Sequence, residues 1–351
     1  MRNLQSVQCL RGIAALLVVF HHARNPQDWL YNPLEHFGLG QIGVDIFFVI
    51  SGFIMYSVGR KEQPAEFLRR RVVRVVPMYW IATAVLFAVN VNTHFAKLLA
   101  IPVGHILESL LFIPHYSPDV PGIWPYLIPG WTLNYEMFFY GLFAVGIASR
   151  RPLLVTAICL FAFVAFGLVF ESTLAPWRTY TDPVILEFLL GMLIAATLQR
   201  PSLFAAVGLL CVGVAALTTF EMLGLKSTRL LTWGLPCACM VAGLVALDIR
   251  NPIAKVPLLS AVGDASYSIY LFQVVALNVA SKIFAHVPVT GLPQFILFIA
   301  FGLVVATAAG YIVYRYVEKP LLRRFSTHGT PRDPRSAKLP GETARAISPD
   351  R

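Results

Sequence analysis

Residues 10–22 read LRGIAALLVVFHH, an apolar run with Arg11 at one end and the pair His21-His22 at the other. Arg11 and His22 are eleven positions apart, so at ~100° per residue a helix places them on nearly one face, about 16 Å apart along the axis. A charged side chain at bilayer depth costs about 2.5–3.5 kcal/mol on insertion scales, so ionisable groups in such a run are candidates for function. The plainer readings are that Arg11 snorkels to the interface and that His22 hydrogen-bonds a neighbouring helix. Their shared face favours function.

The rest of the chain has the same character. Of 351 residues, 57% are hydrophobic and 13% charged, and the mean hydropathy is +0.68. That composition cannot cover a soluble surface with polar groups. Apolar runs fall at about 10–23, 39–58, 75–91, 131–148, 152–170, 183–198, 202–219, 230–248, 265–282 and 294–314, each near the ~20 residues a helix needs to cross hydrocarbon. The expectation is an all-α polytopic membrane protein of about ten transmembrane helices, with one membrane domain over 1–325. The Pro-rich and aromatic stretch 92–130 reads as an extracytoplasmic loop with interfacial or re-entrant pieces and room for an amphipathic helix around 104–113. From 326 to 351 the sequence is rich in Pro, Arg and Ser without periodicity, and a disordered basic cytoplasmic tail is expected.

With the N-terminus inside, 22 Lys and Arg fall in cytoplasmic segments and six outside: Arg24, Lys97, Arg178, Lys226, Arg229 and Lys282. This bias places both termini in the cytoplasm and accounts for the net charge of +10 without nucleic acid. No small-residue cleavage site follows His22-Ala23-Arg24, so the first helix is expected to be retained. The five cysteines form no CxxC pair and read as small hydrophobes, with no metal site expected.

Three further constellations put polar groups into apolar segments. The second run, GQIGVDIFFVISGF from Gly40, places Asp45 near the outer boundary, at a depth similar to His22, and the small pair Ser51-Gly52 near mid-membrane, where helices can approach closely. Asp45 reads either as an orienting carboxylate for an imidazole or as a first-turn acid favoured by the helix dipole. Before the third run, FLRRRVVRVVPMYW from Phe67 sets Arg71 and Arg74 on one face, which suits bidentate phosphate binding. Anionic lipid headgroups are the alternative target. In the fourth, PGWTLNYEMFFY from Pro129, Trp131 and Tyr135 fit an interfacial aromatic belt, but Glu136 lies more than a turn inside an apolar helix.

Together with GDASYSIYLFQ and VEKPLL nearer the C-terminus, these stretches resemble, in order and spacing over roughly residues 4–325, the acyltransferase-3 family of integral membrane acyltransferases. Within that family the sequence is similar to the bacterial exopolysaccharide acetyltransferases. The resemblance implies His22 as the catalytic residue of an arginine-x10-histidine pair with Arg11, and Arg71 and Arg74 as an R-x-x-R motif linked to acyl-CoA. Two departures stand out: Gln273 occupies a position often held by His in the family, and the common WSLSxE is WTLNYE here, which keeps Trp131 and Glu136. The implied reaction is acetyl transfer from acetyl-CoA to a sugar hydroxyl of an exported polysaccharide or its lipid-linked precursor, in the bacterial inner membrane. His22 would act as general base, oriented by Asp45 or Glu136, or as a covalent acyl carrier. Arg11, Arg71, Arg74 and Ser51 would serve the donor, Trp131 and Tyr135 the acceptor. Membrane lipids and polysaccharide-assembly proteins are the expected partners. A glycan flippase or exporter, or a non-enzymatic assembly subunit, also fits a basic, polytopic chain.

Overall fold

The computed structural model describes residues 4–24, 29–93, 101–198, 202–224 and 228–326. Every regular element among them is helical. The ten apolar runs appear as α1 (Gln5–Ala23), α2 (Ile42–Ile54), α3 (Pro64–Thr93), α5 (Trp131–Ala148), α6 (Pro152–Val169), α8 (Leu186–Thr197), α9 (Leu203–Leu223), α10 (Leu235–Arg250), α12 (Ser266–Phe284) and α13 (Gly291–Val313). Among the described residues eight helical segments are long and apolar enough to cross a membrane; α8 is a shorter apolar piece. Shorter helices connect them: α4 (Val103–Leu110) within the stretch expected to hold an amphipathic helix, α7 (Ala175–Tyr180), α11 (Pro257–Asp264) and α14 (Lys319–Ser326). The tail after Ser326 lies outside the described residues.

Among the described residues three turns of π-helix interrupt the regular winding: Met55–Gly59 after α2, Leu230–Gly234 before α10 and Tyr314–Glu318 after α13. Such turns add a residue to the local repeat and are frequent at functional sites.

Helix α1 is central, packed against α2, α11, α12 and α13. Small residues set the spacing. A Cβ at Gly43 would overlap the Ala14 carbonyl, which seats α2 directly on α1. Farther along α2, a Cβ at Gly52 would strike the Phe188 carbonyl and one at Gly191 the Val49 carbonyl. The α2–α8 crossing is therefore a backbone-to-backbone contact, the close approach that Ser51-Gly52 suggests. Where lipid tails are as apolar as the helix surfaces, such close packing holds helices together.

Antiparallel succession gives the bundle two distinct ends. The start of α1, the end of α2 and the start of α3 share one end, where Arg11, Arg71 and Arg74 sit. The end of α1, the start of α2 and the start of α5 share the other, where His21 and His22 sit. The 101–130 segment joins α3 to α5 at this histidine end. There the buried rings of His105 and His115 pair at 2.8 Å. His115 Nδ1 donates to the Ile113 carbonyl at 2.7 Å, so its Nε2 accepts from His105 Nδ1. Burial, and secondarily the neighbouring His115, push the His105 imidazole below its ordinary value.

Candidate active site

Two cavities occupy the two ends. The one at the arginine end has about 780 Å³ of empty space, its mouth included, and is lined by Arg11, Arg71, Arg74, Ser51, Glu136 and Tyr140 among others. The Arg11 guanidinium donates to Ser266 Oγ at 2.9 Å and to Gln8 Oε1 at 3.2 Å. Arg71 lies over the Phe67 ring, 5.7 Å from its centroid, and its Nε is buried without a hydrogen-bond partner. Glu136 accepts from Ser51 Oγ at 3.2 Å and, through a very short bond, from the Tyr140 hydroxyl. Three guanidinium groups thus face one lining carboxylate. An unpartnered N–H beside such a surplus of cations suits a multiply charged anion such as a nucleotide phosphate, with guanidinium forks matching its oxygens.

The cavity at the histidine end is larger, about 1410 Å³ with its mouth, and is lined by His21, His22, Trp124, Trp131, Tyr135 and Arg229 among others. Its aromatic wall is built edge to face: Trp131 lies 6.0 Å from Trp124 and 5.7 Å from Tyr135 between ring centroids. Apolar ring faces interleaved with polar tips form a surface suited to sugars, which present C–H faces and hydroxyl rims. Trp131 and Tyr135 line the same cavity as the two histidines.

The two histidines differ in what their nitrogens do. His22 Nδ1 lies 2.9 Å from the Val18 carbonyl one turn back, and a carbonyl only accepts. Nδ1 therefore carries the hydrogen, and in the neutral ring Nε2 holds a bare lone pair. His21 Nδ1 instead accepts from Arg24 at 3.2 Å, so its lone pair is already engaged. His22 thus keeps a nitrogen lone pair free, whereas that of His21 Nδ1 is taken by Arg24.

The structure redistributes the two carboxylates that the sequence places near His22. Asp45 is fully buried and takes both prongs of Arg229, at 2.9 and 2.8 Å. Glu136 belongs to the arginine-end cavity, not to the histidine end. Neither carboxylate is bonded to His22; the ring is held by Val18. The reason is reach: Asp45 projects toward α8 and α10 rather than α1, and Glu136 lies deeper along α5 than the Trp131–Tyr135 turn.

Two residues gain weight that sequence reading left unassigned. Arg229 spans the site, clamped by Asp45 and stacked over Trp131 and Trp233 at 5.7 and 5.0 Å; the only sequence signal was its place among the six basic residues on the outer side. Glu187 is wholly buried beside this pair, in electrostatic contact with Asp45 and Arg229. Among the described residues no group of three His, Cys, Asp or Glu side chains could hold a metal ion.

The two cavities share one residue, Val44. Helix α1 runs past both, presenting Arg11 to one and His22 to the other, as their common face requires. A family model described as an acyltransferase domain matches residues 4–315. This chain belongs to the acyltransferase-3 family. It is 38% identical over 298 residues to the exopolysaccharide production protein ExoZ of Rhizobium meliloti, covering 83% of this chain and 92% of that one. It is 24% identical over 324 residues to the acyltransferase MdmB of Streptomyces mycarofaciens, covering 80% and 81%. No solved structure matches it. The chain is thus a multi-pass membrane acyltransferase, a class that a flippase or an inert assembly subunit does not share.

Proposed function

We propose that this enzyme moves an acetyl group from acetyl-CoA, bound at the arginine end, to a hydroxyl of an exported polysaccharide or its lipid-linked precursor, bound at the histidine end. The membrane is the inner membrane of a bacterium, and the basic-residue bias supports a cytoplasmic arginine end. The observation that carries the reading is that one helix lines both cavities, with Val44 alone common to them. Arg71 and Arg74 hold donor phosphates and Arg11 the part nearer mid-membrane, while Ser51 and Glu136 line the passage. Trp131 and Tyr135 seat the sugar ring. Arg229 belongs to that seat, since Asp45 fixes it against Trp131.

His22 Nε2 takes the proton of the acceptor hydroxyl as its oxygen attacks the acyl carbon, and the proton then passes to the leaving sulfur. A positioned base contributes typically 10²–10⁴-fold. The same lone pair could attack the thioester first and carry the acyl group itself. The similarity to a protein named for exopolysaccharide production supports a polysaccharide acceptor, with polysaccharide-assembly proteins as neighbours. The test is mass spectrometry of surface glycan from strains with and without the gene: loss of an acetyl mass increment supports the reading, and an unchanged glycan that is only poorly exported points to an exporter.

A further inference from the structure

The cavity at the arginine end is layered along its helices. Because α2 and α5 both start at the histidine end, their lining residues run from deep to shallow in chain order: Val44, Phe48, Ser51 and Ile54 on one, Leu133, Glu136 and Tyr140 on the other. At a rise of ~1.5 Å per residue, Val44 to Ile54 covers about 15 Å. The arginines mark the shallow end, and Val44, Phe48, Thr132, Leu133 and Tyr270 form the deepest layer. Its two hydroxyls are turned away from any ligand, since Thr132 and Tyr270 both donate to the Pro129 carbonyl, at 3.1 and 2.8 Å. The deep layer is therefore apolar in effect. Phe48 is its most firmly held member, only 3% exposed, with its ring 4.6 Å from that of Phe188, 6.0 Å from Tyr135 and 6.5 Å from Trp131. Phe188 stacks in turn on Phe139 at 4.5 Å, and the Gly52 contact seats α2 on the Phe188 backbone. Moving Phe48 aside means unpacking Trp131 and Tyr135, which line the other cavity.

We propose that Phe48 is the specificity-determining residue for the acyl group, closing the deep layer to chains longer than acetyl. The inference rests on the proposed acyl transfer. A thioester brought up the cavity from the arginines presents its carbonyl carbon at Val44, the residue common to both linings. Its sulfur points back toward the arginines and the acceptor oxygen comes from the histidine end. The acyl tail is left to lie against the side chain one turn along the same face of α2, which is Phe48. A methyl group fits beside a ring that stays in place, whereas each further methylene presses on it. Close-packed interiors resist added volume, because the neighbours must leave their own rotamers to admit it. Here those neighbours are three rings and a helix crossing made backbone to backbone, so the resistance is high.

The test reads a ratio between donors, so the amount of folded protein cancels. Full-length protein in nanodiscs is given a purified glycan with acetyl-, propionyl- or butyryl-CoA, and kcat/KM for each donor is divided by that for acetyl-CoA. Calorimetry follows binding of the same three donors without glycan. The variants are Phe48→Ala and the milder Phe48→Leu, which keeps the test open if the Ala protein does not insert. Phe53→Leu is the control, a buried ring on the same helix that lines neither cavity. Wild type should lose about 10-fold or more for each added methylene, the usual discrimination of an apolar pocket. Phe48→Ala should raise the butyryl-to-acetyl ratio by about 100-fold and Phe48→Leu by about 10-fold, while Phe53→Leu keeps the wild-type ratio. Wild type that uses butyryl-CoA as well as acetyl-CoA overturns the inference, as do Phe48 variants with the wild-type ratio or a Phe53→Leu protein that shifts it equally. Wild type that binds these donors selectively but acylates no glycan refutes the proposed function alone, and wild type that binds none of them refutes both.

Discussion

Arg229→Met leaves Asp45 at zero exposure with no cation against it, beside a second buried carboxylate, Glu187. The lost pair is bidentate at 2.9 and 2.8 Å, and the Arg229 side chain is only 24% exposed. At an effective dielectric near 20, unit charges ~4 Å apart attract by about 4 kcal/mol, and removing one partner of a buried pair typically costs about 3–5 kcal/mol. The single variants Arg229→Met and Asp45→Asn should therefore each lower stability by about that range, seen as early loss of the monodisperse peak on heating in detergent. The double variant should be milder than the sum, because neither charge is stranded, giving a coupling of at least about 2 kcal/mol. Acetyl transfer adds a second reading. If Asp45 acts through Arg229, the two singles and the double share one activity. Single variants that cost under about 1 kcal/mol, or that add without coupling, would refute the clamp. An Asp45→Asn enzyme far less active than Arg229→Met would return Asp45 to a direct role at His22.

Other consequences are as definite. His22→Ala should lower acetyl transfer by about 10²–10⁴-fold with the protein still inserted, whereas His21→Ala, whose lone pair already belongs to Arg24, should cost far less; similar losses in both would remove the tautomer argument. Replacing Arg71 or Arg74 with Ala should weaken acetyl-CoA binding measured by calorimetry, and Lys should rescue only in part because it lacks the fork. Normal affinity in both Ala variants would hand the pair to lipid headgroups. A cysteine at Ser117 should label from outside the cell and one at Arg60 only after permeabilisation; the reverse would invert the bundle. Acidification should loosen the 101–130 segment: His105 is held below its ordinary 6.5, so the unfolded segment binds protons first and stability falls as pH drops below about 6.5 toward the folded value. Hydrogen exchange of these amides from pH 7.5 to 5 reads this, and His105→Gln should flatten it.

The helices were legible because hydrocarbon imposes a length and an apolarity that no local detail overrides, and α1 kept even its face, with Arg11 and His22 turned toward neighbouring cavities. Gly52 was legible for the same reason, since a small residue between bulky ones has few uses in a membrane helix other than close approach. Partners were not legible. Asp45 and Arg229 lie 184 positions apart, and depth alone offered His22 as the imidazole for that carboxylate. Arg229 stands immediately before a turn of π-helix, so helical periodicity could not say which way it points. Glu136 had a depth in the sequence but no azimuth, and its azimuth turns it toward the arginines.

Val44 is the residue common to the linings of both cavities. If the acyl group crosses between the cavities at Val44, an opening made there for it also opens a path for ions. A thioester arm entering from the arginine side would fill the gap it creates, so donor occupancy itself acts as the stopper. Trimming Val44 to Gly would then disclose itself first as a proton leak in empty vesicles, silenced by adding the donor.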